Sequence, residues 1–213
     1  MGAKTWMLAY VDGDARELLK LQPALNREAA ALLARKLYSS EKLEEIEDGD
    51  LLFTSPPDDE LYVGCFPGLS ILAAKEFGID YPSKLAEHFL KEGKDERIIL
   101  HAMHSVVDWF AFAVWERGEL RRSLSLAPDN GVIEDIGPRL PFEEPFWAGE
   151  HLVFDERDEE TDYPFCFHPL ELGEAALLEF FGYELEGFLD QNVVDPAQIP
   201  MAGFKRKSRW KLW

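Results

Sequence analysis

The chain has 213 residues, with 22 Lys and Arg against 41 Asp and Glu, a formal charge of −19. At 46% hydrophobic and 13% aromatic residues it is too apolar to stay disordered, and its length suits one domain with a real core. Two cysteines exclude a disulfide scaffold, and the acidity disfavours nucleic acid and anionic membrane as partners of the body.

Lys4–Val11 (KTWMLAYV) reads as a strand closed by Asp12-Gly13-Asp14. Asp14 followed by Glu17 has the form of a capping box opening a helix over 15–21, which Pro23 ends. Asn26 caps a second helix, 26–38, with Leu25, Ala29, Leu32, Leu33 and Leu37 on its apolar face. Short strands are expected at 42–46 and 51–54, around Asp48-Gly49-Asp50. Segments 61–66 and 69–73 flank Pro67-Gly68 as a hairpin, and Ser83 caps a helix over 83–92.

The run 98–115 (IILHAMHSVVDWFAFAVW) holds no Lys, Arg or Glu and approaches membrane-spanning length, but His101, His104, Ser105 and Asp108 argue against a span. Its β-branched and aromatic content predicts buried strand, broken near Ser105. A tight Arg117-Gly118 turn sets Trp115 opposite Leu120. Counting back then pairs Ala113 with Arg122, Ala111 with Leu124 and Trp109 with Leu126 on one face. The other face pairs Val114 with Arg121, Phe112 with Ser123 and Phe110 with Ser125. Segment 128–145 is rich in turn residues, and 155–162 (DERDEETD) reads as a solvated acidic loop. Pro169 opens a helix through Phe181, with Leu170, Ala175, Leu177, Leu178 and Phe181 apolar and Gly182 stopping it; Asp195-Pro196 starts one more turn. The expected fold is α+β: a mainly antiparallel sheet with a central hairpin at about 105–126, packed by several helices. One domain spans 1–204, and 205–213 is a basic tail. Residues 1–204 hold 17 basic groups against 41 acids, a net −24. The tail's Lys205, Arg206, Lys207, Arg209 and Lys211 alternate with Trp210 and Trp213, suited to folding back on the acidic body or, as the one exception, to touching nucleic acid.

The densest set of reactive side chains is His101, His104 and Asp108. On a helix they would share one face and hold a metal; on the expected strand the two histidines point to opposite faces and the chelate fails. Arg122 on an apolar face needs an internal acid, with Asp108, Glu134 and Asp135 in reach, or else clamps an anion with His104. Cys65, in Gly64-Cys65-Phe66-Pro67-Gly68, is a nucleophile only with a histidine beside it, and buried structural thiols are the simpler reading for Cys65 and Cys166. The acidic runs lack calcium-loop spacing, and there is no phosphate loop, dinucleotide fingerprint or nucleophile elbow, so no metal or cofactor is expected.

The blocks MGAKTW, GCFPG, HAMHSVVDWF and FHPLELGE (the last spanning 167–174) resemble an uncharacterised bacterial, mainly actinobacterial, family of unknown function over about residues 1–182. The resemblance implies a single cytosolic bacterial domain and transfers no activity, cofactor or catalytic residue. Position 6 is Trp where a myristoylation motif has Ser or Thr, and nothing reads as a signal peptide, so a cytoplasmic location is expected. The acidic body and missing catalytic signature point to a non-catalytic binding protein meeting a basic protein partner, of inhibitor or immunity type. The alternative is a small enzyme, a hydrolase, with a pocket near His104, Asp108 and Arg122.

Overall fold

The computed structural model describes residues 3–153, 164–186 and 193–208. Among them nine strands form: β1 (Lys4–Val11), β2 (Glu41–Asp50), β3 (Glu60–Phe66), β4 (Leu69–Ala73), β5 (Arg97–His104), β6 (Trp109–Glu116), β7 (Glu119–Ala127), β8 (Gly131–Ile136) and β9 (Pro200–Ser208). They join in one antiparallel sheet of order β2-β9-β3-β4-β1-β5-β6-β7-β8. The helices are α1 (Ala15–Lys20), α2 (Arg27–Leu37), α3 (Glu87–Glu92), α4 (Glu144–Trp147) and α5 (Pro169–Phe181). Strand takes 37% and helix 26% of the described residues, which corrects the expected α+β class: the protein is mostly β. Two strands account for much of the difference. β8 lies inside the turn-rich 128–145, and β9 crosses the boundary drawn at 204, so residues 205–208 belong to the sheet. The acidic loop 155–162 and residues Arg209, Trp210, Lys211 and Trp213 lie outside the described residues. Among the described residues no helix is long and apolar enough to cross a membrane.

Because side chains alternate along a strand, the sheet carries two separate cores. One face buries Met7, Ile71, Ile99, Met103, Phe110, Phe112, Leu124 and Met201 beneath α1 and α5. The opposite face buries Trp6, Leu8, Leu100, Ala102, Trp109, Ala111, Ala113 and Trp115 with α2 and α3. Asp14 and Asn26 cap α1 and α2 through the N–H groups of Arg16 and Ala29, and left-handed Gly182 ends α5. Glu17 pairs with Lys20 rather than completing a capping box. The face that α2 buries is Ala30, Ala31, Ala34 and Leu37, while Leu32 is exposed; alanine lets the helix lie close on β3. Ser83 does not cap a helix over 83–92. Its N–H and hydroxyl both bind Glu134, and the helix begins only at Glu87.

The break at Ser105 is a turn between β5 and β6, with Asp108 at φ +47. Arg117 and Gly118, both at positive φ, make the tight turn that joins β6 to β7 and set Trp115 opposite Leu120 as expected. The rest of the expected register is off by one. Val114 pairs with Arg122, Ala113 with Ser123, Phe112 with Leu124 and Phe110 with Leu126. Arg121 is an extra residue, a bulge, and one extra residue turns every later side chain to the other face. Arg122 therefore joins the phenylalanine face rather than the alanine face.

Candidate functional site

His101 and Arg122, two of the reactive residues legible in the sequence, are fully buried. His101 stands on β5 between sheet and α5. A carbonyl can only accept, so Nε2–H donates to the Gly173 oxygen at 2.9 Å, and Nδ1 accepts from the Thr5 hydroxyl at 2.8 Å. Burial pushes its pKa down to about 4, so the imidazole is neutral and both nitrogens are occupied. Arg122 makes a two-pronged pair with Glu143, Nε–Oε1 at 2.9 Å and Nη2–Oε2 at 2.7 Å. Its Nη1 binds the Asp135 carboxylate and the carbonyls of Ile136 and Gly137, both at 3.2 Å. Burial opposes the charge, but the two acids more than offset it and raise the pKa. Of the three acids considered from sequence, Asp135 is a partner. Asp108 is elsewhere, and Glu134 serves Ser83 and Ser123. Fully buried and held by two carboxylates, Arg122 is not exposed to clamp an anion.

The remaining candidates are not brought together. His104 closes β5 on the tryptophan face, its ring edge-on to Trp6 at 5.7 Å, and burial followed by the nearby Lys4 charge lowers its pKa. Asp108 turns toward the α5 side, where its Oδ2 lies 3.7 Å from Nε2 of His168. Cys65 is buried on β3, with β4 and β1 between it and β5, and on the face opposite His101. Burial raises its pKa although Ser70 partly counters this; it is a poor nucleophile. Cys166 is exposed rather than buried, with its thiol toward the Phe146 carbonyl. In the tail, Lys205 pairs with Asp59 and Glu60, Lys207 with Glu44, and Arg206 with Glu41 and Glu76 beneath the Tyr38 ring.

A different set of side chains converges on a cleft of about 790 Å³ over α5. Glu171, Glu174 and Leu178 follow one another at helical spacing on α5, which puts them on one face. The chain beyond Gly182 returns Glu184 and Glu186 to the same cleft; His151, His168 and the Phe142 and Phe146 rings complete it. His168 caps α5 through Nδ1, which accepts from the Leu170 N–H at 3.2 Å. No Lys or Arg lines the cleft among the described residues. Glu174 accepts from the Leu185 N–H at 2.7 Å through Oε2, while its buried Oε1 has no partner among the described residues. Burial first, then the charges of Glu184 and Glu186, push its pKa up to about 7. Such a carboxyl can give up or take a proton near neutrality, and its neighbours attract cations. No group of three potential metal ligands was found among the described residues.

Glu143, Glu174, His151 and His168 were not singled out from sequence. Helical spacing alone pairs Glu171 with Glu174, but only the turn at Gly182 brings Glu184 and Glu186 to them. Against known proteins, a model described as a family of unknown function (DUF6928) matches residues 5–204, so the chain belongs to that family. No curated protein and no solved structure matches it.

Proposed function

We propose that this member of the DUF6928 family is a non-catalytic binding protein whose acidic cleft receives basic side chains of a protein partner. The observation that carries the reading is the convergence of Glu171, Glu174, Glu184 and Glu186 on one cleft with no lysine or arginine among the described residues of its lining. On β2, by contrast, several acids are matched within the fold: Glu41, Glu44, Glu45 and Asp48 each pair with a basic residue. In the cleft, burial first and then the charges of Glu184 and Glu186 hold Glu174 partly protonated, and an incoming ammonium or guanidinium favours its ionised form. The Phe142, Phe146, Leu170 and Leu178 walls suit the aliphatic stems of lysine and arginine.

The test is calorimetric titration of a lysine-rich peptide into the full chain. Affinity is expected to fall about tenfold or more from low to physiological salt, as the screening length shrinks to roughly 8 Å. Glu171→Gln with Glu184→Gln is expected to weaken it further. A salt-insensitive complex, or one unaffected by the double variant, contradicts the proposal.

A second reading, a hydrolase, rests on the near-neutral carboxyl of Glu174 and the His168–Asp108 pair at 3.7 Å. It differs from the sequence-derived pocket, because Arg122 is closed off and His104 faces the other side of the sheet. It predicts ester hydrolysis that is lost in His168→Ala while peptide binding persists; no hydrolysis above background by the unmodified chain rejects it.

A further inference from the structure

On the tryptophan face, at the end of the sheet where β5 stops and β6 and β1 start, a second cleft of about 420 Å³ opens beside His104. Its walls come from the Trp6 and Trp109 indoles, whose centroids lie 6.0 Å apart, the exposed Tyr81 ring, and apolar Val107, Ala127 and Ile133. Its polar groups are Asp80, Asp129, Asn130 and His104, so its lining among the described residues holds two acids, with Lys4 and Lys84 standing over the Trp6 and Tyr81 rings. The site is assembled by close packing. A Cβ on Gly78 would come within 2.6 Å of the Trp6 ring, so only glycine lets this loop lie against the indole and carry Asp80 and Tyr81 to the rim. Trp109 is fixed by its N–H donating to Ser125 at 3.2 Å.

We propose that this cleft binds a small organic cation, an ammonium bearing apolar substituents. Aromatic faces attract a cation through the ring quadrupole while their hydrocarbon surface accommodates its substituents, and two carboxylates at the rim favour positive charge over negative. Two of these rings already hold the chain's own cations, Lys4 Nζ at 4.9 Å from the Trp6 centroid and Lys84 Nζ at 4.3 Å from that of Tyr81, so an incoming ammonium displaces them. An anion meets Asp80 and Asp129, and a neutral apolar molecule leaves those carboxylates unused. This inference is independent of the acidic cleft over α5, which lies on the other side of the sheet.

Choline is the probe, with dimethylbutanol, its uncharged tert-butyl isostere, as control. Both are titrated into the full chain by calorimetry with tryptophan fluorescence recorded alongside. Choline is expected to bind in the millimolar range or tighter, at least about tenfold better than the isostere. Trp6 and Trp109 are buried and their removal threatens the core, so the variants are Tyr81→Ala and Asp129→Asn, both at exposed positions. Each is expected to weaken choline severalfold while thermal unfolding stays unchanged. Equal binding of choline and the isostere, no heat and no fluorescence change into the millimolar range, or choline binding indifferent to both variants overturns the proposal.

Discussion

The two faces of the sheet bury different polar chemistry, a charged pair and a histidine on one side and serines with Glu134 on the other. On the α5 side, His101, Arg122 and Glu143 penetrate the core, each fully buried and hydrogen-bonded within the fold. On the opposite face, tryptophans alternate with alanines; Ser123, Ser125 and Glu134 are buried with Trp109 and Ser83 as partners, while His104 and Asp129 are left at the rim. Only Ala102 and Met103 separate His101 from His104 on one strand, yet one is a structural cross-brace and the other lines an open cleft. Reactivity here follows position along the strand rather than residue type: groups in the middle are consumed by the fold, and groups at the ends remain available.

Breaking the buried network sharpens that contrast most. Arg122→Ala leaves Glu143 charged in the core and is expected to cost about 3–5 kcal/mol in urea unfolding, and Arg122→Met with Glu143→Leu less than that. Next comes His101. Its pKa is about 4 folded, against the ordinary 6.5 unfolded, so the unfolded chain binds the extra proton between those values. Stability is therefore lost as pH falls from 6.5 to 4, by about 3 kcal/mol, and His101→Phe removes that slope. Glu174 has the opposite sign. Its pKa is raised to about 7, so its share of the stability is present at acid pH and lost as pH rises through 7. Glu174→Gln is thus expected to stabilise the protein at pH 8 by about 1 kcal/mol, discounted for partial exposure, and to have no effect at pH 4. A contrast that involves no charge lies on α2. Ala34→Leu overpacks the seam with β3 and is expected to cost about 1–3 kcal/mol, whereas exposed Leu32→Ser stays within about 0.5 kcal/mol in thermal melts.

Local signals explain what could be read in advance. β1, the 61–73 hairpin, the Arg117-Gly118 turn, the Asp14 and Asn26 caps and Pro169…Gly182 around α5 are all written in neighbouring residues. β9 is not, because Pro200, Gly203 and three consecutive basic residues resemble no strand until β2 and β3 supply acids on both sides. Gly203 is part of that fit: a Cβ there would meet the Glu47 carbonyl at 2.3 Å, where β2 bulges. The Arg121 bulge likewise has no signature, yet it decides which core Arg122 enters. Once Arg122 faced the other way, the pocket joining it to His104 dissolved. The acidic cleft was illegible for a related reason, since it joins residues on either side of a reversal at Gly182.

The most direct test of the central claim is proton release when a lysine-rich peptide binds, measured by calorimetry at pH 7 in buffers of different ionisation enthalpy. A cation seated beside Glu174 lowers its pKa from about 7, so binding is predicted to release a fraction of a proton, and Glu174→Gln to abolish that release while affinity survives. Binding without proton release, or release unchanged in the variant, would place the peptide elsewhere and contradict the account.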